Sequence, residues 1–264
     1  MSVYLPYQKP PRWNCDPETI AYNCARMGLP VPAIALPMWE GCGRKIYDGS
    51  GNKKDGTFNG DPQWCASPFG TAIDFDGASD SISLPAAPDT TSRTREALIF
   101  PTDVSAANRG IISNLGWAVG DIHFKIQYGS IKGSIRTSAS TNVASDTILP
   151  DNWYHVILTY NGINGDFKIY VNGELHNSAS AETGITVLHE DIIGDEYSLN
   201  SREFIGKMAL VRIYHQPVTA FQVRTLYNDL YGMFEPTRKA AWRIPAIGGI
   251  SIPVIMHHYR QQRL

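Results

Sequence analysis

Trp153-Tyr154-His155-Val156-Ile157-Leu158-Thr159-Tyr160-Asn161-Gly162, followed closely by Phe167-Lys168-Ile169-Tyr170-Val171-Asn172-Gly173, decides the fold. In the first stretch Tyr154, Val156, Leu158 and Tyr160 recur at period two, so a strand gathers them on one apolar face. In the second, Phe167, Ile169 and Val171 share a face opposite Lys168 and Tyr170, and Asn172-Gly173 closes the segment with a turn dipeptide.

Outward from this block the same signal recurs. Strands are predicted at 72–75, 81–84, 97–100, 110–113, 121–128, 130–136 and 208–214. Asp76-Gly77, between the first two, predicts a hairpin turn. So many short strands at these intervals predict a two-sheet sandwich. One helix is written near the end: Thr219 caps it with Gln222 three residues on, and Val218 and Val223 occupy the staple positions. Val223, Leu226, Tyr227, Leu230 and Tyr231 then form one face, with Gly232 as the stop. A shorter helix is predicted over 16–27, with Asp16 as cap, Pro17 at the first position and Gly28 beyond the end.

Composition agrees with this class. Of 264 residues 43% are hydrophobic and 18% charged, enough for a substantial core and incompatible with global disorder. A formal net charge of -2 supplies no overall attraction to nucleic acid or to an anionic membrane. Residues 1–6 lack a basic segment followed by an apolar run, so no secretory or transit signal is expected. The longest apolar stretch, 244–256, is too short to span a bilayer and is broken by Pro245 and Pro253, so the chain is expected to be soluble. Three regions follow: a proline-rich N-terminal arm with a short helix (1–35), the sandwich (36–232) and a C-terminal arm (233–264). After Glu235 the last region has no acidic residue, while Arg238, Lys239, Arg243, Arg260 and Arg263 surround an apolar middle. Such a tail suits docking on a neighbouring subunit and suits equally a strap along its own domain.

The order of these segments resembles the laminin-G-like, concanavalin A-like jelly-roll superfamily. Trp153-Tyr154-His155-Val156, Thr159-Tyr160-Asn161-Gly162 and Lys168-Ile169-Tyr170-Val171-Asn172-Gly173 are similar to its central W-x-H-V, T-Y-x-G and Y-V-N-G motifs. Ile73-Asp74-Phe75-Asp76-Gly77 is similar to its L-x-F-D-G turn, and Phe204-Ile205-Gly206, Val211-Arg212-Ile213-Tyr214 and the helix from Val218-Thr219 to Leu226-Tyr227 follow in the family's order. The resemblance implies an all-β, two-sheet antiparallel jelly-roll sandwich with a short C-terminal helix and extended N- and C-terminal arms.

A narrower resemblance points to tailed bacteriophages. Leu36-Pro37-Met38-Trp39-Glu40-Gly41-Cys42-Gly43, with Tyr47-Asp48-Gly49-Ser50-Gly51-Asn52 and Gly56-Thr57, is similar to the opening of laminin-G-like proteins encoded in such phages and prophages. Asn228-Asp229-Leu230-Tyr231-Gly232-Met233-Phe234-Glu235-Pro236 resembles their N-P-W-x-L-F-x-P ending, with Asp229 in place of the proline. This implies a non-enzymatic virion structural protein, either capsid decoration or tail-associated, assembled in the host cytoplasm. Its expected partners are other virion proteins and further copies of itself, with no nucleic acid and no membrane.

The chemistry of known sites is mostly missing. Concanavalin-like glycosidases carry an E-x-D-x-x-E strand whose paired carboxylates do the acid and nucleophile work, and no such run occurs. Glu190-Asp191 and Asp195-Glu196 flank Gly194, but adjacent carboxylates on a strand point to opposite faces, so both pairs read as solvated loop charge. A G-x-S-x-G elbow, an H-E-x-x-H helix and a phosphate-binding glycine loop are also missing. His155 lies opposite the apolar strand face, where a hydrogen-bonded structural role is expected.

Many laminin-G-like domains bind calcium. Here Asp48, Ser50 and Asn52 alternate like the start of a calcium loop, yet Lys53 stands where that loop needs glycine and Asn59 where it needs a bidentate Glu. Ala209 also replaces the family's Asp before V-R-I-Y. A turn is therefore expected at 48–52, with no metal ligand and no cofactor assigned and calcium left as an open alternative. Cys15, Cys24, Cys42 and Cys65 match neither a CxxC pair nor a zinc ribbon, which favours thiols. A Cys42–Cys65 disulfide stays open, with cytosolic assembly arguing against it. Trp117, Tyr128 and Tyr197 fall in or beside loops and turns. An exposed ring there could stack on the apolar face of a sugar, the bland alternative being core or interface packing. A carbohydrate-binding adhesin for host glycans is thus the second functional reading, and a polysaccharide hydrolase the third.

Overall fold

The structure is a computed structural model and describes residues 16–105, 107–189, 192–196 and 202–236. The described strands, in chain order, are β1 (Ile34–Leu36), β2 (Lys45–Ile46), β3 (Gly56–Asn59), β4 (Gln63–Ser67), β5 (Gly70–Asp76), β6 (Ser81–Ser83), β7 (Ser92–Pro101) and β8 (Arg109–Ser113). They continue as β9 (Ile122–Gln127), β10 (Ser130–Arg136), β11 (Ser140–Thr147), β12 (Tyr154–Asn161), β13 (Asp166–Val171), β14 (Glu174–Ser180), β15 (Ile192–Ile193) and β16 (Ile205–Tyr214). Two helices, α1 (Pro17–Met27) and α2 (Ala220–Asn228), and a 3-10 turn at Gly232–Phe234 complete the described elements.

The strands form two antiparallel sheets, the jelly-roll sandwich that the sequence predicts. The first runs β14-β13-β12-β7-β16-β5-β4, and β1 shares an edge of β16 with β5. The second runs β11-β10-β9-β8-β15-β6-β3-β2. Between them lies the main core. Tyr154, Val156, Leu158 and Tyr160 of β12 face inward, as their spacing requires, and join Phe124, Ile126, Ile131 and Ile135 from the opposite sheet. The fit is tight at Gly133, where a Cβ would stand 2.2 Å from Leu158 Cδ1.

The other face of the first sheet is also covered. Ala35, Leu98, Ile157 and Leu210 pack under Ile20 and Cys24 of α1, Val223 and Leu226 of α2, and the segment from Leu230 to Phe234. Asn23 Nδ2 on α1 donates to the Met233 carbonyl at 3.2 Å and the Glu235 carbonyl at 2.7 Å, tying the two ends of the described chain together. Burial on both faces explains why β12 is apolar at Ile157 as well as at the alternating positions.

Inside this second layer sits a buried charged set. Glu96 accepts from Arg212 Nε at 2.8 Å, from Arg212 through its second nitrogen, from His155 Nε2 at 2.7 Å and from Tyr214 Oη at 3.1 Å. Arg212 also donates to the Leu230 carbonyl at 2.9 Å. Burial pushes the Glu96 carboxyl up, but the Arg212 and His155 partners outweigh it and hold it at about 2. His155 therefore has the structural, hydrogen-bonded place expected of it.

Three local readings need correction. Asp76-Gly77 does not close a hairpin: β5 belongs to the first sheet and β6 to the second. The Asp80 carboxylate accepts from the Asp61 and Asp76 amides, at 2.8 and 3.1 Å, which widens the turn and passes the chain across the sandwich. Phe75 and Ile82 can then both face the same core. The capping box at Thr219 forms as predicted, but α2 stops at Asn228 rather than at Gly232. Asp229, at φ -142°, breaks the helix so that Leu230 can reach Arg212 and the Tyr231 hydroxyl can donate to the Ala209 carbonyl at 3.1 Å. Finally, Asp195 and Glu196 are half-buried and buried, not solvated. Glu190 and Asp191 lie outside the described residues.

Cys24, Cys42 and Cys65 are free thiols, and burial pushes Cys24 up to about 11. Cys15, the first fifteen residues and the tail from 237 onward lie outside the described residues. Among the described residues, no helix is long and apolar enough to cross a membrane.

Candidate functional site

The outer face of the second sheet carries the chemistry. Ile122, Phe124 and Ile126 of β9 face the core, so His123, Lys125 and Gln127 face outward. By the same alternation β10 turns Lys132 and Ser134 outward, and β11 turns Asn142 outward. The register aligns them: His123 lies opposite Ser134, which lies opposite Asn142, and Lys125 lies opposite Lys132. Ser134 Oγ donates to Asn142 Oδ1 at 2.7 Å.

Like charges directly opposite across a ladder destabilise it. Here a carboxylate arrives from another part of the chain. Glu196 Oε1 accepts from Lys125 Nζ at 2.6 Å and from His123 Nδ1 at 2.7 Å, with Arg202 at 3.5 Å. Burial raises the Glu196 carboxyl, yet His123 and Lys125 outweigh it and hold it below the usual carboxylate range. Its second oxygen, Oε2, is buried and has no hydrogen-bond partner among the described residues. Gly110 lets this segment settle on β8, since a Cβ there would stand 2.1 Å from the Asp195 carbonyl carbon. Lys132 Nζ donates to Gln127 Oε1 at 2.6 Å, and burial followed by the neighbouring Lys125 lowers its pKa.

Beside these groups stands Trp117, on the loop between β8 and β9. Arg95, buried between the sheets, supports that loop from below by donating to the Ile112 carbonyl at 3.0 Å, the Ile122 carbonyl and Asn114 Oδ1 at 2.9 Å. Asn114 Oδ1 also accepts from the Ile122 amide at 2.9 Å, and the Asp121 carboxylate accepts from the Ala118 amide. The Trp117 and His123 rings are 4.5 Å apart, and His123 Nε2 lies 2.8 Å from the Gly116 carbonyl. Both nitrogens of that imidazole therefore lie within hydrogen-bond distance of oxygens. The result is an open groove of about 410 Å³ with Trp117 at its side and Asn108, Lys132, Asn142 and Glu196 in its lining.

Of the residues predicted from sequence, Trp117 lines this groove. Tyr128 stands at the β9–β10 turn, 70% exposed and at φ 46°, and does not line it. Tyr197 lies outside the described residues. The sequence reading did not single out Lys125, Lys132 or Asn142, and it took Glu196 for solvated loop charge. Alternation along 121–128 and 130–136 was sufficient to place both lysines on a polar face, but Glu196 is 71 residues from its Lys125 partner, and no local signal joins them.

A larger depression, about 580 Å³, is lined by Val31, Pro88 and Lys54 among others and holds no Trp, Tyr or Phe ring. Asp48 does not fit calcium. Its two oxygens accept from the Ala35, Ser50 and Lys54 amides at 2.9 to 3.0 Å and from the Ser50 hydroxyl at 2.7 Å, which makes the predicted turn. No group of three or more His, Cys, Asp or Glu side chains placed to hold a metal ion occurs among the described residues.

Residues 76–224 match a laminin-G-type family described as the concanavalin A-like lectin/glucanases superfamily, and the chain belongs to it. Solved structures with this fold include domain 4 of AbnA, a GH43 extracellular arabinanase from Geobacillus stearothermophilus, in complex with arabinotriose. It is 20% identical with a TM-score of 0.56, over 68% of this chain and 91% of that one. The binding domain of Paraclostridial Mosquitocidal Protein 1 is 17% identical with a TM-score of 0.62, over 78% and 55%. The ligand-binding domain of botulinum neurotoxin serotype D, in complex with N-acetylneuraminic acid, is 16% identical with a TM-score of 0.61, over 79% and 52%. The chain spans about half the length of these two toxin domains. At such identities the likeness is one of fold. No curated protein matches the chain.

Proposed function

We propose that the chain is a non-enzymatic carbohydrate-binding module whose sugar lies in the groove beside Trp117. The observation that carries this reading is an indole ring held by a buttressed loop next to outward-facing Asn142, Asn108 and Ser134, an arrangement that stacks on one sugar face and bonds hydroxyls on another. Relatives of the same fold hold arabinotriose and N-acetylneuraminic acid, which favours it further. Among the described residues lining the groove Glu196 is the one carboxylate, whereas glycoside hydrolysis uses two. A glycan array probed with wild-type protein and Trp117→Ala tests the reading. Binding weakened about tenfold or more in the variant is expected from loss of the stacked ring. Binding that survives Trp117→Ala unchanged, or none to any glycan, refutes it.

On this reading the module works as a structural component of a tailed-bacteriophage particle, on capsid or tail, with host surface glycans as ligand and other virion proteins as partners. Support comes from the two phage-like stretches, which meet in the fold: Trp39 packs edge-on against Phe234, with ring centroids 5.3 Å apart. The basic, apolar tail is the segment assigned to docking on neighbours. Particles assembled with a chain ending at residue 236 are expected to lack the protein, and normal incorporation of that chain rules the docking role out.

A further inference from the structure

The groove carries more positive charge than its own carboxylate balances. Lys125 and Lys132 are opposite each other on adjacent strands, and Glu196 is the acidic group that reaches both. Glu196 is bonded to Lys125, whereas the Lys132 ammonium is bonded to the neutral amide of Gln127. Two ammonium groups, with the Arg202 guanidinium 3.5 Å from Glu196 beside them, therefore share one carboxylate on a face that β10 and β11 keep polar. Placing them directly opposite costs the sheet stability, and no packing in the core requires it, because both side chains point away from the sandwich interior. An arrangement that costs stability and lines a groove fits a ligand that brings the missing negative charge.

We propose that the sugar bound beside Trp117 is an anionic one, bearing a carboxylate or a sulfate that Lys132 receives, while Glu196 Oε2 accepts from a sugar hydroxyl. This rests on the carbohydrate-binding reading above and adds the chemical class of the ligand to it. The two halves of the site then have distinct tasks. Trp117 stacks on the apolar ring face and would serve a neutral sugar equally well. Lys132 discriminates, since a neutral sugar leaves its charge with only a share of Glu196 to balance it. The buried Oε2 of Glu196 is an acceptor with no donor among the described residues, which a hydroxyl beside the acidic group satisfies.

The test measures binding to matched sets of oligosaccharides: uronic-acid- and N-acetylneuraminic-acid-bearing glycans with their carboxyl-reduced counterparts, and sulfated glycans with their desulfated counterparts. Wild-type protein, Lys132→Gln, Lys132→Arg and Trp117→Ala are compared. One of the two acidic sets is expected to bind and its neutral counterparts to bind at least about tenfold more weakly, the loss of one charge-assisted hydrogen bond. Lys132→Gln should lose that preference, Lys132→Arg should keep it, and affinity for the acidic set should fall as NaCl is raised from about 50 to about 500 mM. Thermal unfolding of Lys132→Gln should be at least as high as that of the wild type, because the substitution removes a like charge facing Lys125. Equal binding of acidic and neutral partners, or an acidic preference unchanged in Lys132→Gln, overturns the proposal. If neutral glycans bind, and bind through Trp117, the carbohydrate reading stands while the anionic one falls; if no glycan binds, both fall.

Discussion

Replacing Glu96 with glutamine tests the charged set beneath the helical layer. Glu96, His155 and Arg212 are all buried, and the carboxylate accepts from Arg212, His155 and Tyr214. Glu96→Gln keeps the shape but leaves the Arg212 guanidinium buried with no anion, which is expected to cost about 3–5 kcal/mol. An independent route gives a similar figure. A carboxyl whose ordinary value is 4.5 and which is held at about 2 in the folded chain contributes about 3 kcal/mol of stability. Because the folded value is the lower one, this contribution is complete above the unfolded value and is lost as pH falls through about 2. Urea unfolding followed by tryptophan fluorescence should therefore show a wide gap between wild type and Glu96→Gln at neutral pH. The gap should narrow as pH is lowered from about 4.5 towards about 2. Exchanging the pair together, Glu96→Leu with Arg212→Met, should recover much of the loss, since neither charge is then left alone. A Glu96→Gln protein within about 1 kcal/mol of wild type, or a gap that stays constant across the acid range, refutes this account.

Gly110→Ala should be folded but impaired at the groove. Its new methyl group meets the Asp195 backbone at 2.1 Å and must displace the segment that places Glu196 between His123 and Lys125. Glycan binding should fall by more than thermal stability does, and a variant with wild-type affinity would show that Glu196 is not needed. Thr219→Ala removes the capping box of α2 and should cost about 0.5–2 kcal/mol in urea unfolding without changing glycan binding. A change in binding would mean that the helical layer communicates with the far sheet.

Much of the architecture was legible from residues alone, because strand alternation and helix capping are local. Tyr154, Val156, Leu158 and Tyr160 face the core as their spacing demands, and the Thr219–Gln222 box forms where it is written. Strands with little apolar signal were harder. β14 is exposed along nearly its whole length and is held by its ladder with β13 rather than by side-chain burial, so no period marks it. Asp76-Gly77 misled for a related reason: a turn dipeptide reports that the chain reverses, while Asp80, four residues on, decided into which sheet it went.

The candidate site divides in the same way. By itself the sequence determined that this is an all-β sandwich and that Trp117 falls in or beside a loop. The alternation along 121–128 and 130–136 also contains the polar placement of Lys125 and Lys132, though it was not read; each of these depends on neighbours a few residues away. Only the tertiary structure decided that Glu196 is a buried partner of Lys125 and His123 rather than a solvated loop charge. It also decided that Arg95 reaches across the core to hold the Trp117 loop. Those contacts join residues from 17 to 73 positions apart, and their strength comes from burial, which no local pattern of residues encodes.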